Sequence, residues 1–194
     1  MVHSLEIKRK VVHLFTGIFI ALGYYFGFVS WQLLLAVIVA GFIVSHYAKT
    51  KFIPVVDWFL EHFDRKEDRR NFPGKGALTL VMGCFLAIVL FDKNTALAAM
   101  MILALGDSIG ALLGPFGRIQ NPLNKLKFVE GMVAGAIAGF VGAAIFVTWG
   151  QAFWASVIAM TVEGLDLKFQ EMEMDDNILV PVVAGIVIKA MQAV

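Results

Sequence analysis

The chain has 194 residues, of which 59% are hydrophobic and 16% are charged, and its formal net charge is +1. Soluble domains usually carry about 25% charged residues, and a soluble fold of this size cannot bury so much apolar surface. The composition therefore excludes an ordinary soluble domain, and the single cysteine, Cys84, excludes a disulfide framework.

Seven apolar segments are predicted to cross the membrane. Runs of about 20 apolar residues are the usual signature of a transmembrane helix. The sequence therefore predicts an all-α integral membrane protein with about seven spans in a single domain, residues 1–194. The predicted spans are 11–29, 31–48, 76–92, 95–114, 131–149, 151–164 and 178–194.

The basic residues are distributed unevenly between the two sides of these spans. If the N-terminus is cytoplasmic, 14 of the 16 Lys and Arg residues lie in the N-terminal segment and in the polar loops 49–75, 115–130 and 165–177. Only Lys93 and Lys189 fall on the other side. This distribution follows the positive-inside rule and predicts that the polar loops all face the cytoplasm.

The first predicted span follows the charged stretch "EIKRKVVH". Glu6, Arg9, Lys10 and His13 have helical spacing and are therefore expected on one face. Basic residues at this position also suit contact with anionic lipid head groups, and a histidine in a helix is commonly a packing residue. A phosphate site and a lipid-contact role both stay open here.

The loop 49–75 contains two features of interest. Residues 53–63 alternate apolar and polar side chains at helical spacing, which favours a short helix lying in the membrane interface. The tripeptide "GKG" at 74–76 offers backbone N–H groups and one cation to a phosphate. It lacks the spacing of a P-loop.

The stretch "ALGDSIGALLGPFGR" places Asp107 within the fourth predicted span. An aspartate at a helix centre costs roughly 2.5–3.5 kcal/mol on insertion scales, so it is expected to face a polar cavity, a cation or a metal. Gly110, Gly114 and Gly117 follow at spacings of three or four residues. Close helix packing explains the glycines alone, whereas a ligand held against bare backbone, with a metal on Asp107, explains both features.

The next loop, 115–130, contains three cations that are expected near the same end of the fourth span, namely Arg118, Lys125 and Lys127. Glu130 follows them. Such cations can bind phosphate oxygens, a carboxylate can bind Mg²⁺, and glycines leave the backbone accessible to a ligand. Together these features suit a nucleoside triphosphate with Mg²⁺. The fifth span then begins with a different pattern, which predicts close helix packing. Its glycines are Gly131, Gly135, Gly139 and Gly142.

The last polar cluster lies around the loop 165–177. Glu163 closes the sixth span, and Asp175, Asp176 and Asn177 precede the seventh. Acidic residues at a helix N-terminus are also typical caps and dipole partners. Both a catalytic role and a capping role are therefore open for these carboxylates.

These motifs together resemble the CTP-dependent lipid kinases, which include dolichol and polyprenol kinases, phytol and farnesol kinases, and CTP-dependent diacylglycerol kinase. The resemblance covers residues 6–185. The segments that carry it are "EIKRKVVH", "GKGAL", "GDSIGALLGPFGR", "KLKFVEG" and Glu163 with "DDNILVP". The chain is short and is most similar to compact prokaryotic members of the family.

The resemblance implies transfer of the CTP γ-phosphate to a lipid hydroxyl, in a prokaryotic cell membrane, with the active site facing the cytoplasm. It implies CTP, Mg²⁺ or another divalent cation, the bilayer and a lipid alcohol as partners, and no nucleic acid. The implied catalytic residues are Asp107, Asp176, Glu163 and His13. The implied CTP-binding residues are Gly110, Gly114, Gly117, Arg118, Lys125, Lys127, Glu130, Gly131, Arg9 and Lys10. The implied metal ligands are Asp107, Asp176 and Glu130.

Two alternative functions stay open. The central motif is also similar to that of the CDP-diacylglycerol synthases, but the ending "DDNILVP" resembles the kinases. A transporter would also place carboxylates among its spans, but transporters usually have inverted repeats. The sequence has no convincing repeat, and its polar residues are expected toward one side of the membrane.

Overall fold

The computed structural model describes residues 2–122, 124–125, 127–165, 168–169, 172–173 and 175–193. Most of these residues are helical, which confirms the predicted all-α class. Two strands of two residues each, β1 (Lys168–Phe169) and β2 (Met172–Glu173), pair antiparallel before the last helix. The helices are α1 (Val2–Tyr25), α2 (Trp31–Ala48), α3 (Pro54–Phe63), α4 (Lys66–Asn71), α5 (Lys75–Leu90), α6 (Lys93–Met101), α7 (Ser108–Leu113), α8 (Val129–Ala143), α9 (Trp149–Gly164) and α10 (Asp176–Gln192).

Two helices of the described chain are long and apolar enough to cross a membrane, namely Trp31–Ala48 and the continuous helix Lys93–Phe116. Lys75–Leu90 and Val129–Ala143 are shorter apolar helices. The prediction of seven spans is therefore not confirmed. At 16 and 17 residues, α9 and α10 are shorter than the roughly 20 residues of a typical span, and α1 begins with a charged segment.

The continuous helix Lys93–Phe116 forms the centre of the molecule. It contains α6, a π-helical segment (Ile102–Asp107), α7 and a final 3₁₀ turn (Gly114–Phe116). Its apolar side chains form much of the core, and α1, α5, α8 and α10 pack around it. The largest fully buried side chains on it are Leu97, Met100, Ile102 and Leu103.

The π-helical segment ends at Asp107, the carboxylate that the sequence singled out. A π-helix inserts extra backbone into a turn and is frequently found at functional sites. Asp107 is only 2% exposed. The wider turn therefore places a charged side chain inside the helix bundle.

The glycines of α8 form the contact with the central helix. A Cβ atom on Gly135 would lie 2.6 Å from the carbonyl oxygen of Gly106, and one on Gly131 would lie 2.7 Å from that of Gly110. The opposite face of α8 exposes Val133 and Ile137. The predicted packing role of the α8 glycines is confirmed.

The region predicted as an interfacial helix folds as α3 and is followed by the short helix α4. Leu60 on α3 is buried, whereas Val55 and Trp58 on the same helix are exposed. Glu6 of α1 accepts hydrogen bonds from Arg65, at distances of 2.8 and 3.1 Å. This contact holds the segment between α3 and α4 against the first helix.

Candidate active site

Asp107 is paired with Lys10 of α1. The Lys10 ammonium donates to both carboxylate oxygens of Asp107, at 2.8 Å to Oδ1 and 2.6 Å to Oδ2. Lys10 itself is 22% exposed, so the pair extends from the interior toward the surface. We call these two residues the inner ion pair, and they account for the charge buried at the centre of the bundle.

His13 lies one turn beyond Lys10 and joins three helices. Its Nδ1 lies 3.2 Å from Ser108 Oγ, and its Nε2 lies 2.7 Å from Asn177 Oδ1. Its Nε2 is also 3.8 Å from Asp107 Oδ2. The imidazole therefore connects α1 to the start of α7 and to the first turn of α10.

The partners of Asn177 determine the tautomer of His13. Asn177 Nδ2 donates to the carbonyl oxygen of Gly76 at 3.3 Å and to Thr79 Oγ1 at 2.8 Å. Because the Gly76 oxygen only accepts, the amide oxygen of Asn177 must face His13. Nε2 of His13 then carries the proton, and Nδ1 of the neutral ring accepts from Ser108. Both ring nitrogens are engaged, so a neutral His13 has no free basic nitrogen.

A second group of charges is centred on Lys127. Its ammonium donates to Glu163 Oε1 at 2.5 Å, to the Glu163 carbonyl oxygen at 2.6 Å and to Asp176 Oδ2 at 3.3 Å. Burial alone would lower the pKa of Lys127, but Glu163 and Asp176 outweigh it and raise that pKa. Burial raises the pKa of Asp176 above its usual value. We call Lys127, Glu163 and Asp176 the Lys127 group.

The inner ion pair and the Lys127 group meet at one cavity of about 240 Å³, the glycine-lined cavity. Asp107, Lys127 and Glu163 provide its charged lining. Glycine backbone and two methionines form much of the remaining wall. These residues are Gly106, Gly110, Gly114, Gly131, Met132 and Met160.

Several predicted CTP-binding residues have other contacts. Glu130 Oε1 accepts hydrogen bonds from the backbone N–H groups of Arg118 at 2.7 Å and Ile119 at 3.1 Å. Those bonds lower the pKa of Glu130 and close the loop that begins at Gly117. Arg9 donates to Glu6 at 2.9 Å, and Lys125 is exposed. None of these side chains lines the glycine-lined cavity.

The predicted metal ligands are not assembled into a coordination site. Within the part of the chain that the structure describes, no group of three or more His, Cys, Asp or Glu side chains is arranged to hold a metal ion. Asp107 and Asp176 each contact a lysine ammonium, and Glu130 binds loop backbone. As placed, these three carboxylates do not fit a divalent cation, and the cation stays a prediction.

Sequence reasoning missed the partners that orient the site. Ser108, Asn177 and Thr79 form the hydrogen-bond network around His13, but none of them was assigned a role in the site. Ser108 and Asn177 each directly follow a predicted catalytic aspartate along the chain. This adjacency could have indicated that they belong to the site, because consecutive residues of a helix lie at the same end of the bundle.

The chain matches no protein-family model, no curated protein and no solved structure at a significant level. The geometry of its own side chains therefore provides the structural support for any proposed function. The most informative part of that geometry is one cavity lined by Asp107, Lys127 and Glu163, whose charges are paired with each other and with Lys10 and Asp176.

Proposed function

We propose that the protein is a CTP-dependent kinase that phosphorylates the hydroxyl group of a membrane lipid alcohol. The observation that supports this most strongly is the meeting of the inner ion pair and the Lys127 group at the glycine-lined cavity. Phosphoryl transfer depends mainly on positioning and on charge stabilisation. The first-choice acceptor is polyprenol or dolichol, and phytol, geranylgeraniol and diacylglycerol are further candidates.

The charges of this cluster constrain how the nucleotide binds. With all carboxylates ionised, Lys10 and Lys127 provide two positive charges against three negative charges. A triphosphate is itself strongly negative, so bare CTP would be repelled from the cluster. We therefore propose that CTP enters together with Mg²⁺ or another divalent cation, which neutralises phosphate charge.

In the proposed reaction, the acceptor hydroxyl oxygen bonds to the γ-phosphorus of CTP. The bond from that phosphorus to the β–γ bridging oxygen breaks, and CDP leaves. The hydroxyl proton passes to a carboxylate of the cluster, and Lys127 contacts phosphate oxygens through charge-assisted hydrogen bonds. His13 holds α1, α7 and α10 in register rather than accepting the proton, because both its ring nitrogens are engaged.

We also propose that the protein spans a prokaryotic cell membrane with its N-terminus and active site on the cytoplasmic side. Large apolar side chains are exposed on several helices, including Phe19, Ile43, Ile137 and Trp154. Extensive exposed apolar surface is typical of proteins that contact lipid or a partner. The distribution of Lys and Arg among the loops supports the orientation.

The activity is tested by incubating the purified protein in detergent with γ-labelled CTP, Mg²⁺ and a panel of lipid alcohols. We expect a labelled lipid monophosphate together with CDP, and we expect a chelator to abolish both products. A lipid carrying CMP, with release of pyrophosphate, would instead indicate a cytidylyltransferase. Solute flux into vesicles without either product would indicate a transporter.

The phosphate role of Lys127 is tested with a matched pair of lysine variants. Lys127→Ala should raise the KM for CTP roughly ten- to a hundredfold, because a charge-assisted hydrogen bond is worth about 1.5–3 kcal/mol. Lys66→Ala is the control, since Lys66 is exposed on α4 and an exposed charge contributes under about 1 kcal/mol. Equal shifts in the two variants would contradict the assignment and direct attention to the "GKG" segment.

A further inference from the structure

A second cavity, of about 260 Å³, lies beside the charged cluster between α1, α3 and α5. We call it the α3 cavity. Its walls are mostly apolar and include Val12 from α1, Leu60 and Phe63 from α3, and Leu80 and Val81 from α5. A cavity with such walls suits the hydrocarbon part of a ligand.

The α3 cavity also has polar lining. Lys10, His13 and Asn177 contribute to it, as do Arg9 and Asp64. Lys10 is at the same time the partner of Asp107, and Asp107 lines the glycine-lined cavity. The inner ion pair therefore stands between the two cavities, with an apolar site on one side and the glycine-lined backbone on the other.

The outer wall of the α3 cavity is itself apolar on both faces. Leu60 and Phe63 of α3 face the cavity, whereas Val55 is 80% and Trp58 is 58% exposed on the other side of the helix. A short helix of this kind is typical of the membrane interface. A ligand that reaches the cavity past α3 would therefore come from the bilayer.

We propose that the α3 cavity is the acceptor site, which binds a long-chain isoprenoid alcohol with its chain against α3 and its hydroxyl group at Lys10, His13 and Asn177. This assignment rests on the proposed kinase function for its chemistry. The glycine-lined cavity then takes the phosphates of the nucleotide. The two substrates approach the inner ion pair from opposite sides, which is the arrangement that in-line transfer requires.

Two alanines offer a matched pair of variants for the test. Ala77 lines the α3 cavity and Ala111 lines the glycine-lined cavity, and both are exposed positions on helices. Ala77→Trp should raise the KM for geranylgeraniol about tenfold or more by overfilling its cavity, with the KM for CTP unchanged. Ala111→Trp should do the reverse. If Ala77→Trp leaves the KM for geranylgeraniol unchanged, the assignment is wrong.

A binding measurement separates this assignment from the kinase activity. A geranylgeraniol analogue with a diazirine on its tail is photolysed with the protein in detergent, and the cross-linked residues are mapped. We expect cross-links on α1, α3 or α5 that unlabelled geranylgeraniol competes away and that Ala77→Trp weakens. Such labelling without CTP-dependent phosphorylation would overturn the proposed function alone. Phosphorylation with cross-links confined to other helices would overturn the acceptor site alone.

Discussion

The buried carboxylate of Asp107 depends on Lys10 for its charge balance. From the sequence alone, Asp107→Asn would be expected to keep or raise stability, because a neutral side chain is cheaper to bury. The structure changes that expectation, since the variant leaves the Lys10 ammonium without its carboxylate. We expect loss of kinase activity and a loss of about 1–3 kcal/mol of unfolding free energy, measured by denaturation in detergent.

The double variant Lys10→Met with Asp107→Asn provides the control. It removes both charges, so stability should recover part of the loss while activity stays absent. A double-mutant cycle measures this coupling directly. An Asp107→Asn protein with wild-type turnover and stability would contradict the role given to the inner ion pair.

At the scale of single residues, spacing along the chain identified most members of the charged cluster but not their partners. Asp107, Lys127, Glu163 and Asp176 were predicted as site residues. The structure places the first three on one cavity and pairs Asp176 with Lys127. Lys10 was expected to bind phosphate, and its pairing with Asp107 was not foreseen. Helical periodicity relates residues three or four apart and gives no information about contacts between distant helices.

The connection between α1 and the α3–α4 segment should be sensitive to acid. Burial opposes ionisation of Glu6, but hydrogen bonds from Arg65 and Arg9 outweigh it and lower the pKa of Glu6 below 4.5. A lowered folded-state pKa contributes stability that is present above the unfolded value and is lost as pH falls through the folded value. We expect hydrogen-exchange protection of α3 and α4, corrected for intrinsic rates, to fall as pH drops below about 4.5.

Glu6→Gln should reduce this protection by up to about fivefold already at neutral pH, since an exposed ion pair is worth about 0.2–1 kcal/mol. It should also remove the acid-dependent step. Glu67→Gln on the exposed face of α4 is the control and should change neither. Burial raises the pKa of the nearby Asp64, so protonation of Asp64 stabilises the fold as pH falls, opposite to the effect of Glu6. This contribution is the same in both variants.

The contact between α8 and the central helix should not tolerate a side chain at Gly135. A methyl group there would meet the Gly106 carbonyl oxygen at 2.6 Å, and backbone cannot move aside as a flexible side chain can. Gly135→Ala should therefore cost about 1–3 kcal/mol, seen as a lower melting temperature in detergent. Gly150→Ala is the control, because the nearest atom to its Cβ would be Met191 Cε at 4.0 Å. Equal melting temperatures would exclude this contact as a source of stability.

At the scale of elements, the sequence predicted helix positions better than helix geometry. The segment 95–114 was expected as one regular helix, and the structure has a helix over Lys93–Phe116. Its π-helical part, Ile102–Asp107, was not predicted. Hydropathy is the same for an α-helical and a π-helical turn, so it could not indicate this segment, which packs against α1 and α8.

The proposed orientation places the two ends of the central helix on opposite sides of the membrane. Its 24 residues span about 36 Å at 1.5 Å per residue, which is enough to cross a hydrocarbon core of about 30 Å. A maleimide that cannot cross the membrane should label Gln120→Cys from the cytoplasmic side and Lys93→Cys from the other side. The native Cys84 is buried and provides a low background. Labelling of both positions from one side would disprove the orientation.

For the whole molecule, the structure confirms the predicted helical class but does not confirm the predicted number of membrane-spanning helices. Apolar helices of 15 or 16 residues, such as α8 and α5, have the composition of a span without its usual length. The structure also shows that one helix, α8, places small residues inward and large apolar residues outward. Average hydropathy cannot distinguish those two faces, because both are apolar.

The separation of Lys10 and Asp107 along the chain has a consequence for biosynthesis. The two residues are 97 positions apart, so α1 leaves the ribosome well before the carboxylate that balances its lysine exists. At translation rates of roughly 5–20 residues per second, the delay is roughly 5–20 s. In the proposed membrane topology, the Lys10 side chain can extend its ammonium toward the lipid head groups during that interval. The inner ion pair therefore forms only after the central helix has been synthesised.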